Sequence, residues 1–477
     1  MRRRRLGLPL AAGAAVAGVA IADRGRRDRA RRTARVWRLT ARRAAHFAVV
    51  KARGARATEA QRARLEEQFA IRTAEDVARE LGNMKGAIMK AGQMVSFIAD
   101  GLPPEAQAAL ATLQADVPPM APSLAEQVVR EELGADPERI FLDWDPVPVA
   151  AASIGQVHRA VLRDGRIVAV KVQYPGVDRA IASDLDNAEM LYAMFSAFAL
   201  RNLDVRSLVD ELRARMVDEL DYVHEARCQT EIAAIYADHP FIHVPAVVPE
   251  LSTRRVLTSD WVDGLRWDEL LATSDETARQ RAGEVLFRFT QGSIHRNGVF
   301  NGDPHPGNYR FHRDGSVTFL DFGLVKRWTP GEWEQLTPLL DALLALDQPR
   351  TIDAMVSAGF LRADHGLDPA HVWEYVSAPY VPYLSDSFEF SAEWTSQALT
   401  HLIDLNGPYG DVIKVLNMPT SYVILDRVVW GTSALLGRLG ARNRWRAMLA
   451  EYREGAPPAT ELGLVEADWR ARRTARL

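Results

Sequence analysis

Apolar positions change period along this chain, and the changes mark out its parts. An apolar run of 17 residues, Leu6 to Ala22, sits between arginines, and an arginine-rich stretch with helical propensity follows to about residue 64. Over residues 65–118, Leu65, Phe69, Ile71, Val77, Leu81, Met84, Ile88 and Val95 recur at helix spacing. Gly101 and Pro103-Pro104 interrupt that pattern and Pro118-Pro119 closes it. Residues 122–134 read as a short helix stopped by Gly134. Strand signals run from Val147 to Val172, with Asp164-Gly165 as a hairpin turn. Helical periods return over 177–198 and 205–235, and strands are predicted at Val244–Val248 and Arg255–Val262. Helix resumes over 265–297, a turn-rich stretch covers 298–323, and 331–455 is mostly helical. No internal repeat is visible. The order predicts an α+β chain of leading helices, a small β-rich lobe and a large helical lobe.

Composition changes that picture mainly at the N-terminus. The 477 residues are 47% hydrophobic and 25% charged, an ordinary globular balance that excludes collagen-like, disordered and coiled-coil classes. A single cysteine, Cys228, excludes an internal disulfide framework and a cysteine-built zinc site. The net charge of −3 divides unevenly: residues 1–60 carry 17 basic and 3 acidic side chains, the remainder 42 and 59. A mildly acidic body argues against nucleic acid as a partner. The basic start, apolar run and Ala20-Ile21-Ala22 have the form of a secretory signal, but the arginine tract directly behind them opposes export. The run is short for a spanning helix and contains Pro9. We therefore expect residues 6–22 to anchor weakly or lie on a membrane, arginines on anionic headgroups, with the body on the cytoplasmic side.

The chemistry lies in the lobes. In Val168-Ala169-Val170-Lys171-Val172 the strand period puts Ala169 and Lys171 on one face, suiting adenine packing and phosphate contact. Gly302-Asp303-Pro304-His305-Pro306-Gly307-Asn308 sets a carboxylate five residues before an asparagine in a proline-stiffened loop. Val317-Thr318-Phe319-Leu320 then reads as a strand running into Asp321-Phe322-Gly323. Asp-x4-Asn followed by Asp-Phe-Gly is the catalytic-loop and metal-loop spacing of protein kinases. Each piece alone would suit a turn-rich connector; the ordered set does not.

Around that set the sequence resembles the UbiB/AarF family of atypical kinases over most of residues 80–440. Lys90-Ala91-Gly92-Gln93 is similar to its K-x-G-Q signature, and Ala150-Ala151-Ala152-Ser153-Ile154-Gly155-Gln156-Val157 to its alanine-rich loop. Glu219-Leu220-Asp221 is similar to its E-x-D signature, with Glu225 four residues beyond Asp221. Leu113 to Pro119 and Leu425-Asp426-Arg427 also resemble family segments. The resemblance implies a bilobal protein-kinase-like fold with a helical N-terminal extension. We divide the chain into a basic segment (1–60), an extension carrying K-x-G-Q (61–135), an N-lobe with inserted helices (136–262), a C-lobe (263–455) and a tail (456–477).

The resemblance also implies roles. Lys171, oriented by Glu225, would hold the phosphates of ATP or ADP. Asn308 and Asp321 would supply oxygens to Mg²⁺, and Asp303 would position or deprotonate the acceptor. Ala150, Ala151, Ala152, Ser153, Gly155, Val157 and Ala169 would cover the nucleotide, with Asp260 and Val262 in the hinge. Lys90, Gly92 and Gln93 would project toward the site, with Lys90 and Gln93 pairing with Glu219 or Asp221. His305 in its Pro-His-Pro turn reads as structural, and Cys228 as a half-buried helix residue. Asn301 stands where the family usually carries histidine, which puts a local brace in question. Only about nine residues separate Asp-Phe-Gly from the next helix near Glu332, and no Ala-Pro-Glu follows, so a peptide-docking segment is missing. The expected function is a Mg-dependent ATPase or kinase supporting isoprenoid-quinone or related lipid biosynthesis, with a quinone or isoprenoid-lipid precursor and biosynthetic enzymes as partners. A small-molecule or lipid phosphotransferase and a nucleotide-binding pseudokinase scaffold are the alternatives. An aminoglycoside-type phosphotransferase fits the K-x-G-Q segment poorly.

Overall fold

The structure, a computed structural model, describes residues 120–152, 154–178, 220–403, 407–417 and 419–475. The chain adopts an α+β bilobal kinase-like fold. Its first lobe begins with helix α1 (Pro122–Leu133), opened by proline at its first position and stopped at Gly134, where φ is +79°. A short helix α2 (Pro137–Ile140) leads to β1 (Asp143–Trp144), β2 (Ala150–Ala152), β3 (Gly155–Val161) and β4 (Ile167–Gln173). After α3 (Tyr222–Ile235) and β5 (Ile242–His243), β6 (Val256–Asp260) completes a five-stranded antiparallel sheet. Its order is β1-β3-β4-β6, with β2 on β3.

The period-2 pattern of β4 decides how this sheet is used. Val168, Val170 and Val172 are fully buried against Ala125, Val128 and Val129 of α1. Ala169 and Lys171 face the other way, half-buried. Helix α1 therefore belongs to the core of this lobe, inside the segment read as an extension. The hairpin predicted at Asp164-Gly165 joins β3 to β4, with Gly165 at φ +87°. Val244–Val248 is not a strand: pairing there is limited to a single bridge from Val247 to Ser259. Pro245 and Pro249 remove the donors a ladder would need.

The second lobe is mostly helical. After α4 (Trp267–Thr273), helix α5 (Glu276–Gly292) runs through its centre, capped by Asp275 and buried almost continuously from Ala282 to Gly292. It continues into a π-helical turn, Ser293–Asn297. The turn-rich stretch that follows holds four short strands: β7 (Val299–Asn301), β8 (Tyr309–Phe311), β9 (Val317–Phe319) and β10 (Val325–Arg327). β8 and β9 pair as a hairpin, β5 joins β9 in parallel, and β10 pairs with β7. Then come α6 (Glu332–Leu344), α7 (Gln348–Ser357), α8 (Pro369–Ser377), β11 (Phe388–Glu389), α9 (Ala392–Ile403), α10 (Gly410–Val415), α11 (Thr420–Leu439), β12 (Arg442–Asn443) and α12 (Trp445–Arg453). The stretch read as a tail carries α13 (Glu461–Thr474), whose Leu462 enters the lobe's core.

One buried ionic cluster fastens α13. Arg288 of α5, its side chain fully buried, bonds Glu284 at 2.8 Å, Glu451 of α12 at 2.9 Å and Glu466 of α13 at 3.0 Å. Thr460 accepts a further bond from Arg288 at 2.7 Å and caps α13. Among the described residues no helix is long and apolar enough to cross a membrane; residues 6–22 lie outside them.

Candidate active site

The cleft between the lobes collects the charged residues of the kinase-like pattern. Lys171 sits on the open face of β4, and its Nζ lies 2.8 and 2.9 Å from the two carboxylate oxygens of Glu225 and 3.5 Å from Oδ2 of Asp321. Glu225, which on sequence alone could be a solvated helix residue, is only 4% exposed. Asp221 puts it there: the Asp221 carboxylate accepts the backbone N–H groups of Val223 and His224 and caps α3 one turn before Glu225. Burial favours a neutral amine at Lys171, but the carboxylates of Asp321 and Glu225 outweigh it and hold the ammonium well above the usual lysine range. The lysine is charged and centred, as a phosphate ligand must be.

The catalytic loop is braced from both sides. Asn301 Nδ2 donates to the backbone carbonyl of Asp321 at 2.6 Å, and its Oδ1 accepts from the backbone N–H of Asp303 at 2.8 Å. The residue that departs from the family's histidine thus supplies the brace, because an amide carries donor and acceptor together. Asn308 Nδ2 donates to the carbonyl and carboxylate of Asp303 at 3.2 and 3.3 Å. The other carboxylate oxygen of Asp303 takes a short bond from Arg427 of α11. His305 Nδ1 accepts from Gly307 N–H at 3.1 Å, the structural role expected of it.

Helix α11 is the bed on which this loop lies. A methyl group on Gly302 would come within 2.9 Å of Ile424, and one on Gly431 within 2.4 Å of Pro304. Ile424, Arg427 and Gly431 fall at helical spacing and share one face. Both glycines are therefore fixed by backbone-to-side-chain approach. Sequence reading missed this: Arg427 stood only within a familiar-looking triplet, 124 positions from Asp303. The i, i+3, i+7 spacing on α11 was the signal available.

The remaining expected residues fall as follows. Ala150, Ala151 and Ala152 form β2, paired to Val157, Gln156 and Gly155. Gly155 has no room for a side chain because the carbonyl of Val172 would lie 2.2 Å from a Cβ. Val157 is paired to Lys171 in register and lies on the same half-buried face. Asp260 ends β6, near Arg166 at 3.7 Å, and Val262 follows in the connection to the second lobe. Cys228 is fully buried, not half-buried, one turn beyond Glu225 on α3. Lys90, Gly92, Gln93, Ser153 and Glu219 lie outside the described residues.

This arrangement can hold a triphosphate and a hard cation. Among the described residues there is no cluster of three or more His, Cys, Asp or Glu that would form an all-protein metal cage. The donors that converge are instead one carboxylate, Asp321, and one amide, Asn308, whose nitrogen is committed to Asp303 and whose oxygen is left for another partner. Those oxygen donors fit Mg²⁺, which takes few protein ligands and shares phosphate oxygens. Asp321 Oδ1 also accepts from Gly323 N–H at 3.1 Å, which fixes the carboxylate's orientation.

Comparison with known proteins agrees with the geometry. Residues 112–355 match the ABC1 atypical kinase-like domain. The chain is 32% identical over 299 residues to the chloroplastic protein ACTIVITY OF BC1 COMPLEX KINASE 1 of Arabidopsis thaliana, covering 61% of this chain and 43% of that one. It is 32% identical over 335 residues to the mitochondrial atypical kinase COQ8B of Rattus norvegicus, covering 69% of this chain and 63% of that one. The chain thus spans only about four tenths of the length of several of the curated relatives it matches. Among solved structures, the Rv3197–erythromycin complex from Mycobacterium tuberculosis superposes with a TM-score of 0.59 at 30% identity, covering 78% of this chain and 93% of that one.

Proposed function

The chain belongs to the ABC1 atypical kinase-like family, and from that premise we propose that it binds Mg·ATP between its lobes and moves the γ-phosphoryl group to water or a small acceptor. The observation that carries this reading is the convergence of Lys171, Glu225 and Asp321 beside an Asp303–Asn308 loop. Lys171 holds phosphate oxygens and Glu225 keeps it extended. Asn308 and Asp321 hold Mg²⁺, which when bound offsets the charge of the transferred group. Asp303 takes the proton of the attacking hydroxyl as the new O–P bond forms and the β–γ bridge breaks. Asn308 and Arg427 both donate to its carboxylate and fix its direction.

A small acceptor, in preference to a peptide, is supported by the segment after Gly323. It contains only β10 and a turn before Gly331, at φ +92°, opens α6 at Glu332. The metabolic setting, isoprenoid-quinone or related lipid synthesis at a membrane surface reached through the basic N-terminus, rests on the family resemblance and the charge pattern. The test is phosphate release by the purified full chain with Mg²⁺, with and without anionic liposomes and a phenolic quinone precursor. Turnover stimulated by both and lost in Asp321→Asn is the expected result. Equal turnover in that variant would remove the reading. Label from γ-labelled ATP appearing in a lipid extract would shift it from hydrolysis to transfer.

A further inference from the structure

On the side of α11 away from the catalytic loop lies a small open pocket of about 30 Å³. Leu425 and Val429 line it from α11, a face of the helix turned away from Ile424, Arg427 and Gly431. Trp333 of α6 forms another wall, and Gln291, His295 of the π-helical turn, Tyr380, Tyr383 and Arg453 at the end of α12 bring the polar groups. It has room for one or two water-sized groups.

Two of those polar groups, on Arg453 and His295, are incomplete in complementary ways. Arg453, with a side chain 6% exposed, bonds Asp341 through Nη2, while its Nη1 is buried with no partner among the described residues. His295 donates through Nε2 to Gln291 Oε1 at 2.9 Å, and its Nδ1 is likewise buried without a partner among the described residues. Since Gln291 presents an oxygen, Nε2 carries the hydrogen and Nδ1 is left as a bare acceptor; this tautomer is assigned from the hydrogen-bond network. Burial, with Arg453 nearby, keeps the imidazole neutral. One buried donor and one buried acceptor thus border one small apolar space.

We propose that this pocket binds a neutral, hydroxyl-tipped aliphatic molecule, a primary alcohol, whose oxygen accepts from Arg453 Nη1 and donates to His295 Nδ1. A hydroxyl completes both groups at once. A carboxylate would suit Arg453 but set its lone pairs against that of Nδ1, and an ammonium would reverse the mismatch. The aliphatic body lies against Trp333, Leu425 and Val429. The site is separate from the nucleotide cleft, so binding is read without any turnover.

The test is fluorine-19 NMR of 4,4,4-trifluorobutanol and 4,4,4-trifluorobutyrate, each titrated into the full chain. The alcohol is expected to broaden and to bind at least about tenfold tighter than the carboxylate. In His295→Phe that preference is expected to fall to about twofold or less, and in Val429→Trp, which fills the pocket, the alcohol signal stays sharp. Carboxylate binding as tight as alcohol, binding of neither probe, or an undiminished preference in folded His295→Phe overturns the proposal. The comparison of the two probes on the unsubstituted chain decides the matter even where a variant fails to fold.

Discussion

Asn301 shows how a single side chain can be read correctly as unusual and still be misjudged. Its place in the sequence marked a missing histidine, yet its amide spans the gap between the two loops with one donor and one acceptor. Two hydrogen bonds of this kind contribute about 1–3 kcal/mol together. Asn301→Ala is expected to cost that much in urea denaturation and to lower nucleotide turnover about 10- to 100-fold, because Asp303 and Asp321 lose their common tie. Unchanged turnover with the same stability loss would show the brace to be only structural. At this scale Ala169 and Lys171 were legible, since strand period alone fixes which residues share a face. Glu225 was legible only through the family resemblance, because its partner Lys171 lies 54 positions away and no local pattern links them. Arg427 was least legible of all: nothing local in Leu425-Asp426-Arg427 points to Asp303.

At the scale of elements, α1, α5 and the β3–β4 hairpin followed from caps, periods and turn residues. Val244–Val248 did not, because alternating valines outweighed two prolines in the reading though not in the sheet. Helix α13 escaped notice because its anchor is ionic and long-range, and its apolar positions are few. That anchor is testable. Arg288 is enclosed by Glu284, Glu451 and Glu466, so Arg288→Met takes the central cation from three buried carboxylates and leaves only Glu466 with another, Arg296 at 3.4 Å. The expected loss is about 3–5 kcal/mol, read as a lowered urea midpoint. Glu451→Gln, which keeps the hydrogen-bonding shape, should cost clearly less. A change under about 1 kcal/mol in Arg288→Met would mean the cluster contributes little net stability.

For the whole molecule, buried titratable groups set a pH dependence whose sign can be worked out. Burial, helped by neighbouring cations, holds His239 and His295 down to about 3. Burial pushes Asp426 up to about 6. Between pH 6.5 and 3 the unfolded chain takes up two histidine protons that the folded one excludes. Between pH 6 and 4 the folded chain takes up one proton on Asp426 that the unfolded one does not. The histidines win by about one proton, so stability should fall on acidification from pH 6.5 toward 4, by about 1.4 kcal/mol per pH unit at the steepest. His158 and His243, also lowered chiefly by burial, act in the same direction. Asp426→Asn removes the opposing group and should steepen the slope about twofold. Denaturation midpoints that stay level or rise between pH 7 and 5 would contradict this account.

The Arg288 cluster also bears on how the chain can be made. Arg288 lies in the lobe's central helix, yet two of its three counter-charges, Glu451 and Glu466, stand 163 and 178 positions after it and are synthesised that much later. Domains generally fold as they are synthesised, N-terminal parts first. Here the second lobe closes fully around its own centre only once α12 and α13 have been made, because until then Arg288 has only Glu284 of its cluster against its charge. The lobe with β1–β4 and β6 has no such dependence and can form early. Synthesis thus passes through a stage with one lobe complete and the other held open until α13 arrives.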